Sequence, residues 1–263
     1  VIRVRLLALA LAGATLPAPN ASAEFVETRG DAVGIESGVP LYTEHHVVRR
    51  ERGVARERIV LYRCPDGRAF GRKTLDYGDT PATPAFRMED AHVGYVEGAR
   101  HADDGLVAFF GFAADGAPAE VAIPRGPSLV VDAGFDEFIR SRWDALQAGE
   151  TLTIDFLVPS RGKAYAFELV KLREQTLQGM PASVFRLSLD GLLGWFASDI
   201  DVAYRNSDRR LMRFEGLTSV RVDRRANLPA RIDFPLDAER VVTDERWRAL
   251  RDEPLTDCPP AMP

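Results

Sequence analysis

Four histidines, His45, His46, His92 and His101, are the residue types best suited to acid–base or metal chemistry at neutral pH. His45 and His46 are adjacent, and neighbouring side chains of a strand point to opposite faces, so the two cannot readily share one metal. One of them with His92 and a carboxylate would make a three-ligand site. One of them with Asp90 or His92 would make the general base of a hydrolase. The alternative is four ordinary strand histidines, and no metal site and no cofactor is expected. Paired acids occur at Glu89-Asp90, Asp103-Asp104 and Asp199/Asp201. Asp103-Asp104-Gly105 has the composition of a hairpin turn. Asp199 and Asp201 would share the solvated face opposite Ile200 and Val202.

Basic clusters occur at Arg49-Arg50-Glu51-Arg52, Arg209-Arg210 and Arg224-Arg225, each with an acid beside it. They read as solvated strand ends. The alternative is capture of a carboxylate or phosphate head group at a cavity rim, for which a guanidinium is well shaped. No G-x-S-x-G elbow, G-x-x-x-x-G-K-[ST] phosphate loop, H-E-x-x-H helix or G-x-G-x-x-G turn occurs. With 34 basic against 39 acidic residues, no excess positive charge favours nucleic acid.

Aromatic residues form the largest remaining inventory. Phe110, Phe112, Tyr165, Phe167, Trp195 and Phe196 are the candidate ligand-binding positions, where a curved sheet could leave an apolar cavity. The bland alternative is an ordinary core. The run Leu192–Phe196 is more apolar than a loop should be, and reads as a buried strand, a lid or a membrane-touching tip.

The elements that must position these residues are mostly strands. Residues 151–158 alternate Leu152, Ile154, Phe156 and Val158 with polar neighbours, broken only by Leu157. Similar patterns run from Leu41 to Phe234. They are punctuated by Pro65-Asp66-Gly67, Asp115-Gly116, Ser160-Arg161-Gly162 and Asn206-Ser207-Asp208. His92 falls within an expected strand, His92–Arg100. Phe135, Phe138, Ile139, Trp143 and Leu146 have helical spacing, with Asp132 as expected N-cap and Gly149 after the end. A second short helix is expected over Thr243–Arg251. The fold class is therefore α+β, mostly antiparallel β: a curved sheet or open half-barrel with one mid-chain helix and a short C-terminal helix. Residues 24–263 are expected to form one β-rich domain, with a subdivision near 126–134 as the alternative.

Residues 1–23 have the pattern of a signal peptide. Arg3 and Arg5 precede the apolar run Leu6–Leu16, and Ala21-Ser22-Ala23 fits the cleavage rule. Cleavage after Ala23 would leave the remainder two units more negative than the −5 of the whole chain. It would also leave no transmembrane span and a periplasmic protein. Cys64 and Cys258 are the only cysteines, and an oxidising compartment would pair them.

The stretch Arg209-Arg210-Leu211-Met212-Arg213-Phe214-Glu215-Gly216-Leu217-Thr218-Ser219-Val220-Arg221-Val222, followed by Ala230-Arg231-Ile232-Asp233-Phe234, resembles a known layout. It is the strand–Gly–strand–strand text of exported, proteobacterial-type proteins of unknown function, similar to the periplasmic lipoprotein-carrier half-barrels. That resemblance implies an open antiparallel half-barrel closed by helices, with a hydrophobic cavity for acyl chains. The expected role is non-enzymatic: binding a lipid or other apolar or amphiphilic ligand, or serving as an envelope accessory factor with a protein partner. The alternative is a periplasmic hydrolase with the carboxylate/histidine site above.

Overall fold

A computed structural model describes residues 23–189 and 199–260. The signal-peptide assignment for 1–23 and the segment 192–196 fall, apart from Ala23, outside the described residues.

Among the described residues, two antiparallel meanders, with one short parallel strand added at an edge, make up one sheet of 16 strands. The N-terminal arm contains β1 (Glu24–Val33), β2 (Pro40–Glu51), β3 (Val54–Arg63) and β4 (Ala69–Asp76). It continues through β5 (Ala85–Asp90), β6 (Tyr95–Ala102), β7 (Gly105–Phe112) and β8 (Ala119–Pro124). A link carries β9 (Leu129–Val130), α1 (Gly134–Ser141) and α2 (Trp143–Gln147). The C-terminal arm contains β10 (Leu152–Val158), β11 (Lys163–Leu177), β12 (Met180–Leu189), β13 (Ile200–Arg205), β14 (Leu211–Arg221) and β15 (Asn227–Asp233). Strand β16 (Arg240–Val242) and α3 (Asp244–Asp252) follow. The arms join where β1 pairs β15, Ala32 opposite Ile232, while β16 pairs the other end of β1. Strands from both sides of 126–134 thus belong to one sheet.

The antiparallel, curved, helix-poor architecture is the one expected, with local corrections. β1 lies at the centre of the sheet, although its unbroken run Glu27-Thr28-Arg29-Gly30-Asp31 carries little strand signal. His92 lies in the turn at 91–94, not on a strand. The mid-chain helix is split at Arg142, whose φ of −107° leaves the helical region. Ala133, not Asp132, occupies its N-cap; Asp132 adopts φ 45° and accepts the Ala133 N–H at 2.7 Å. The expected strands on either side of Gly216 are one strand, β14. Gly216 has φ 152°, and a Cβ there would lie 2.9 Å from Ile200 Cγ1.

Apolar residues cover both faces of the sheet. On the N-terminal arm, Tyr42, Val60, Tyr62, Phe86 and Met88 form a concave core. Leu157 and Ala164, opposite each other on β10 and β11, enter the same core. On the C-terminal arm, α1 and α2 place Phe135, Ile139, Trp143 and Leu146 against Ile154, Phe185 and Tyr204. The other face of β1–β3 packs Phe25, Val47, Ile59 and Leu61 under Trp247 and Leu250 of α3. Among the described residues, no helix is long and apolar enough to cross a membrane.

Cys64 and Cys258 form a disulfide with Cα atoms 6.4 Å apart. Arg63 reinforces it with two bonds of 2.6 Å to the Glu253 carboxylate, and the Thr256 N–H donates to Ala69 O at 2.8 Å. Among the described residues, the one group with metal-ligand spacing is Cys64, Asp66 and Cys258, and its two sulfurs are joined to each other.

Candidate functional site

A cleft lies where three distant parts of the chain converge. Tyr95 begins β6 and Phe112 ends β7. They face each other across the ladder, with ring centroids 4.8 Å apart. Phe110, two residues before Phe112, is on the same face. The hairpin between β14 and β15 approaches from one side and carries Arg221, Arg224 and Arg225. A 3-10 turn at Pro159–Arg161 between β10 and β11 brings Ser160 and Arg161. Gly162 ends this turn at φ 59°, and a Cβ there would sit 2.9 Å from Val121 Cγ2 of β8. Left-handed backbone and close approach together call for glycine. These groups enclose about 270 Å³.

Arg221 is the pivot of the site. It is buried, with its guanidinium carbon 4.3 Å from the Tyr95 centroid and 5.3 Å from that of Phe112. Its N–H groups donate to Asp223 O, Asn227 Oδ1 and Arg224 O at 3.0–3.3 Å, so they hold the hairpin rather than a ligand. Asp223 shapes the same turn by accepting the Arg225 and Ala226 N–H groups, and these bonds lower its carboxyl. Arg224 lies 4.1 Å from the Phe112 centroid and pairs with Asp115. Among the described residues, Arg224 alone of the four arginines lining the cleft has a carboxylate within ion-pair reach. Arg161 and Arg225 are exposed and retain donors for a ligand.

Buried acids stand behind the cleft. Tyr95 donates to Glu97 at 3.0 Å. Burial raises the Glu97 carboxyl, opposed by Lys73 and by that hydrogen bond. Lys73 itself reaches Asp132 at 2.7 Å and Ser219 at 2.9 Å. Asp90 accepts the backbone N–H groups of Arg221 and His92, yet burial still raises it.

The arrangement can bind an anion beside aromatic rings. A guanidinium offers a fork of donors to phosphate or carboxylate, and an aromatic wall accepts an apolar or planar group. Of the expected aromatic positions, Phe110 and Phe112 line this cleft. Phe167 packs against Phe156 at 6.1 Å in the helix-covered core, and Tyr165 lies under Lys163 at 5.3 Å. The structure therefore does not bring the four together. Trp195 and Phe196 fall outside the described residues. The histidines are also dispersed: His45 faces Glu27 at 3.7 Å, His46 bonds Glu44 at 2.7 Å, and His92 meets Asp257 at 3.1 Å. None of these contacts joins His45 or His46 to Asp90 or His92. Arg221, Tyr95 and Arg161 were not legible as site residues. The nearest signal was the Arg224-Arg225 pair beside Asp223.

No family model matches the chain, and no curated protein matches it. Among solved structures, the chain is similar to a beta-barrel-like protein of the domain of unknown function DUF1849 from Brucella abortus. That match has 8% identity and a TM-score of 0.43, covering 84% of this chain and 98% of the other. A DUF1329 family protein from Desulfovibrio piger matches at 8% identity and a TM-score of 0.26, over 86% and 87% of the two chains. A putative outer membrane lipoprotein-sorting protein domain from Vibrio parahaemolyticus matches at 7% identity and a TM-score of 0.26, over 88% and 90%.

Proposed function

We propose that this is an exported envelope protein that binds an anionic amphiphile at the Arg161/Arg225 cleft. The head group sits between the two exposed guanidiniums, and the adjoining apolar part lies along Phe110 and Phe112. The observation that carries this reading is the meeting of three arginines without carboxylate partners and three aromatic rings in about 270 Å³. Four guanidiniums against the carboxylates of Asp115 and Asp223 leave a surplus of positive charge, which an anion offsets. The packed core behind the cleft favours a ligand held at the rim over an acyl chain swallowed whole. The disulfide and the signal-like residues 1–23 support the compartment.

Calorimetric titration with octyl phosphate, against neutral octyl glucoside, tests the reading. Octyl phosphate is expected to bind once per chain. Arg161→Gln with Arg225→Gln should weaken it at least about tenfold, since a hydrogen bond to a charged group contributes about 1.5–3 kcal/mol. Equal binding of the two detergents, or an unchanged affinity in the double variant, would overturn it.

A further inference from the structure

A second pocket, of about 80 Å³ and partly open to solvent, lies between β1–β3 and α1. It is separate from the aromatic cleft and shares no residue with it. Its lining holds four guanidiniums, and three of them are matched. Arg58 bonds Asp136 at 3.0 Å, Arg140 bonds Glu137 at 2.6 Å, and Arg210 faces Glu239 at 3.4 Å. Arg50 is the exception, with no carboxylate within ion-pair reach among the described residues. Two donors are also unanswered: the Nε atoms of Arg50 and Arg58 are buried and have no acceptor among the described residues. A buried donor left unpaired costs about 1–3 kcal/mol, more on a charged group. Two such donors beside one unmatched positive charge call for an acceptor that carries negative charge.

We propose that this cavity is a binding site for a small oxyanion of the phosphate or sulfate type, held by Arg50 and the Nε–H of Arg58. The volume supports that size. It would take a few waters or one tetrahedral oxyanion. The Thr28 hydroxyl and the His46 ring line the same space. The anion bridges β2 and β3 beneath α1, so it acts as an internal brace and not as a transported ligand.

The test uses full-length mature protein carrying Arg161→Gln and Arg225→Gln, which removes the exposed cleft arginines from the readout. Equilibrium dialysis with radiolabelled inorganic phosphate, at constant ionic strength in chloride, should retain one phosphate per chain. Phosphate should raise the melting temperature saturably. Adding Arg50→Gln should abolish both effects, and Arg50→Lys should retain part of them. Inositol hexakisphosphate, far bulkier than one phosphate, should fail to displace the phosphate held between β2 and β3. This competition reads the site even where Arg50→Gln does not fold. No retained phosphate, meaning a cavity filled by water only, would overturn the proposal. So would retention undiminished by Arg50→Gln, or displacement by the large anion.

Discussion

Glu27 is 3% exposed on β1, yet it faces three basic side chains. Arg240 and Arg246 donate to its two oxygens at 2.6–3.1 Å, and His45 lies 3.7 Å away. Burial alone would raise this carboxyl; His45, Arg246 and Arg240 reverse the effect and hold it well below the usual carboxylate range. A carboxyl depressed in the folded state contributes stability above its unfolded value, about 4.3, and that contribution is lost as pH falls toward the folded value. Glu27→Gln should therefore flatten the fall in stability between about pH 5 and pH 2, measured by urea unfolding across pH. An unchanged slope would contradict this. At the cleft, Arg221→Lys keeps the charge but loses the fork that holds the hairpin. It should weaken octyl phosphate binding while leaving it present, and should increase amide exchange at residues 222–226. Such buried charges were illegible in the sequence. Glu27, Lys73, Asp90 and Glu97 each stand two residues from a buried apolar side chain of the same strand, Phe25, Leu75, Met88 and Tyr95, but their charge reads as solvent-facing, and only the packing shows what covers them.

At the scale of elements, Asp136 anchors α1. It accepts the Tyr204 hydroxyl at 2.6 Å and the Arg58 guanidinium at 3.0 Å. Burial opposes its ionisation, but Arg58 and Arg140 win and lower the carboxyl. Asp136→Ala should cost about 3–5 kcal/mol in chemical denaturation, because it strands the Arg58 charge in the interior. Trp143→Ala on α2 should cost a similar amount, about 3–5 kcal/mol, for a different reason: a cavity opens against Phe185 and Tyr204. Exchange data would separate the two, with the first loosening α1 and β3 and the second α2 and β12. Elements with one wet face were the legible ones. The alternation at 151–158 correctly marked β10, and Leu157, its apparent flaw, marks burial on both faces at one end. The split at Arg142 was not legible, since the apolar spacing from Phe135 to Leu146 continues straight through it.

For the whole molecule, the longest covalent constraint is Cys64–Cys258, with a sequence separation of 194. Chain-entropy reasoning sets its contribution at up to about 5 kcal/mol. The variant Cys64→Ser with Cys258→Ser should lose about 2–5 kcal/mol in urea unfolding. It should also release residues 253–258 to rapid exchange, while β5–β8 remain protected. Pairing of the two cysteines was foreseeable from their count and the signal-like leader. The convergence of residues 95, 112, 161 and 221 was not, because nothing local specifies that the ends of two meanders meet.

The place of β1 in the strand order also sets a timetable. Every other neighbouring pair along the main path joins consecutive strands, whereas β1 meets β15 across nearly the whole chain. Local hairpins close fast, and contacts between distant segments must wait for costlier loop closure. As the chain emerges N-terminus first into the compartment where it folds, β1 pairs with β2 early, and its other edge stays open until residues 227–242 arrive. An open edge will accept any strand offered to it, including one from a second nascent copy. The middle of the finished sheet is thus its most vulnerable edge during biogenesis, and slow delivery of the C-terminal arm would lengthen that exposure.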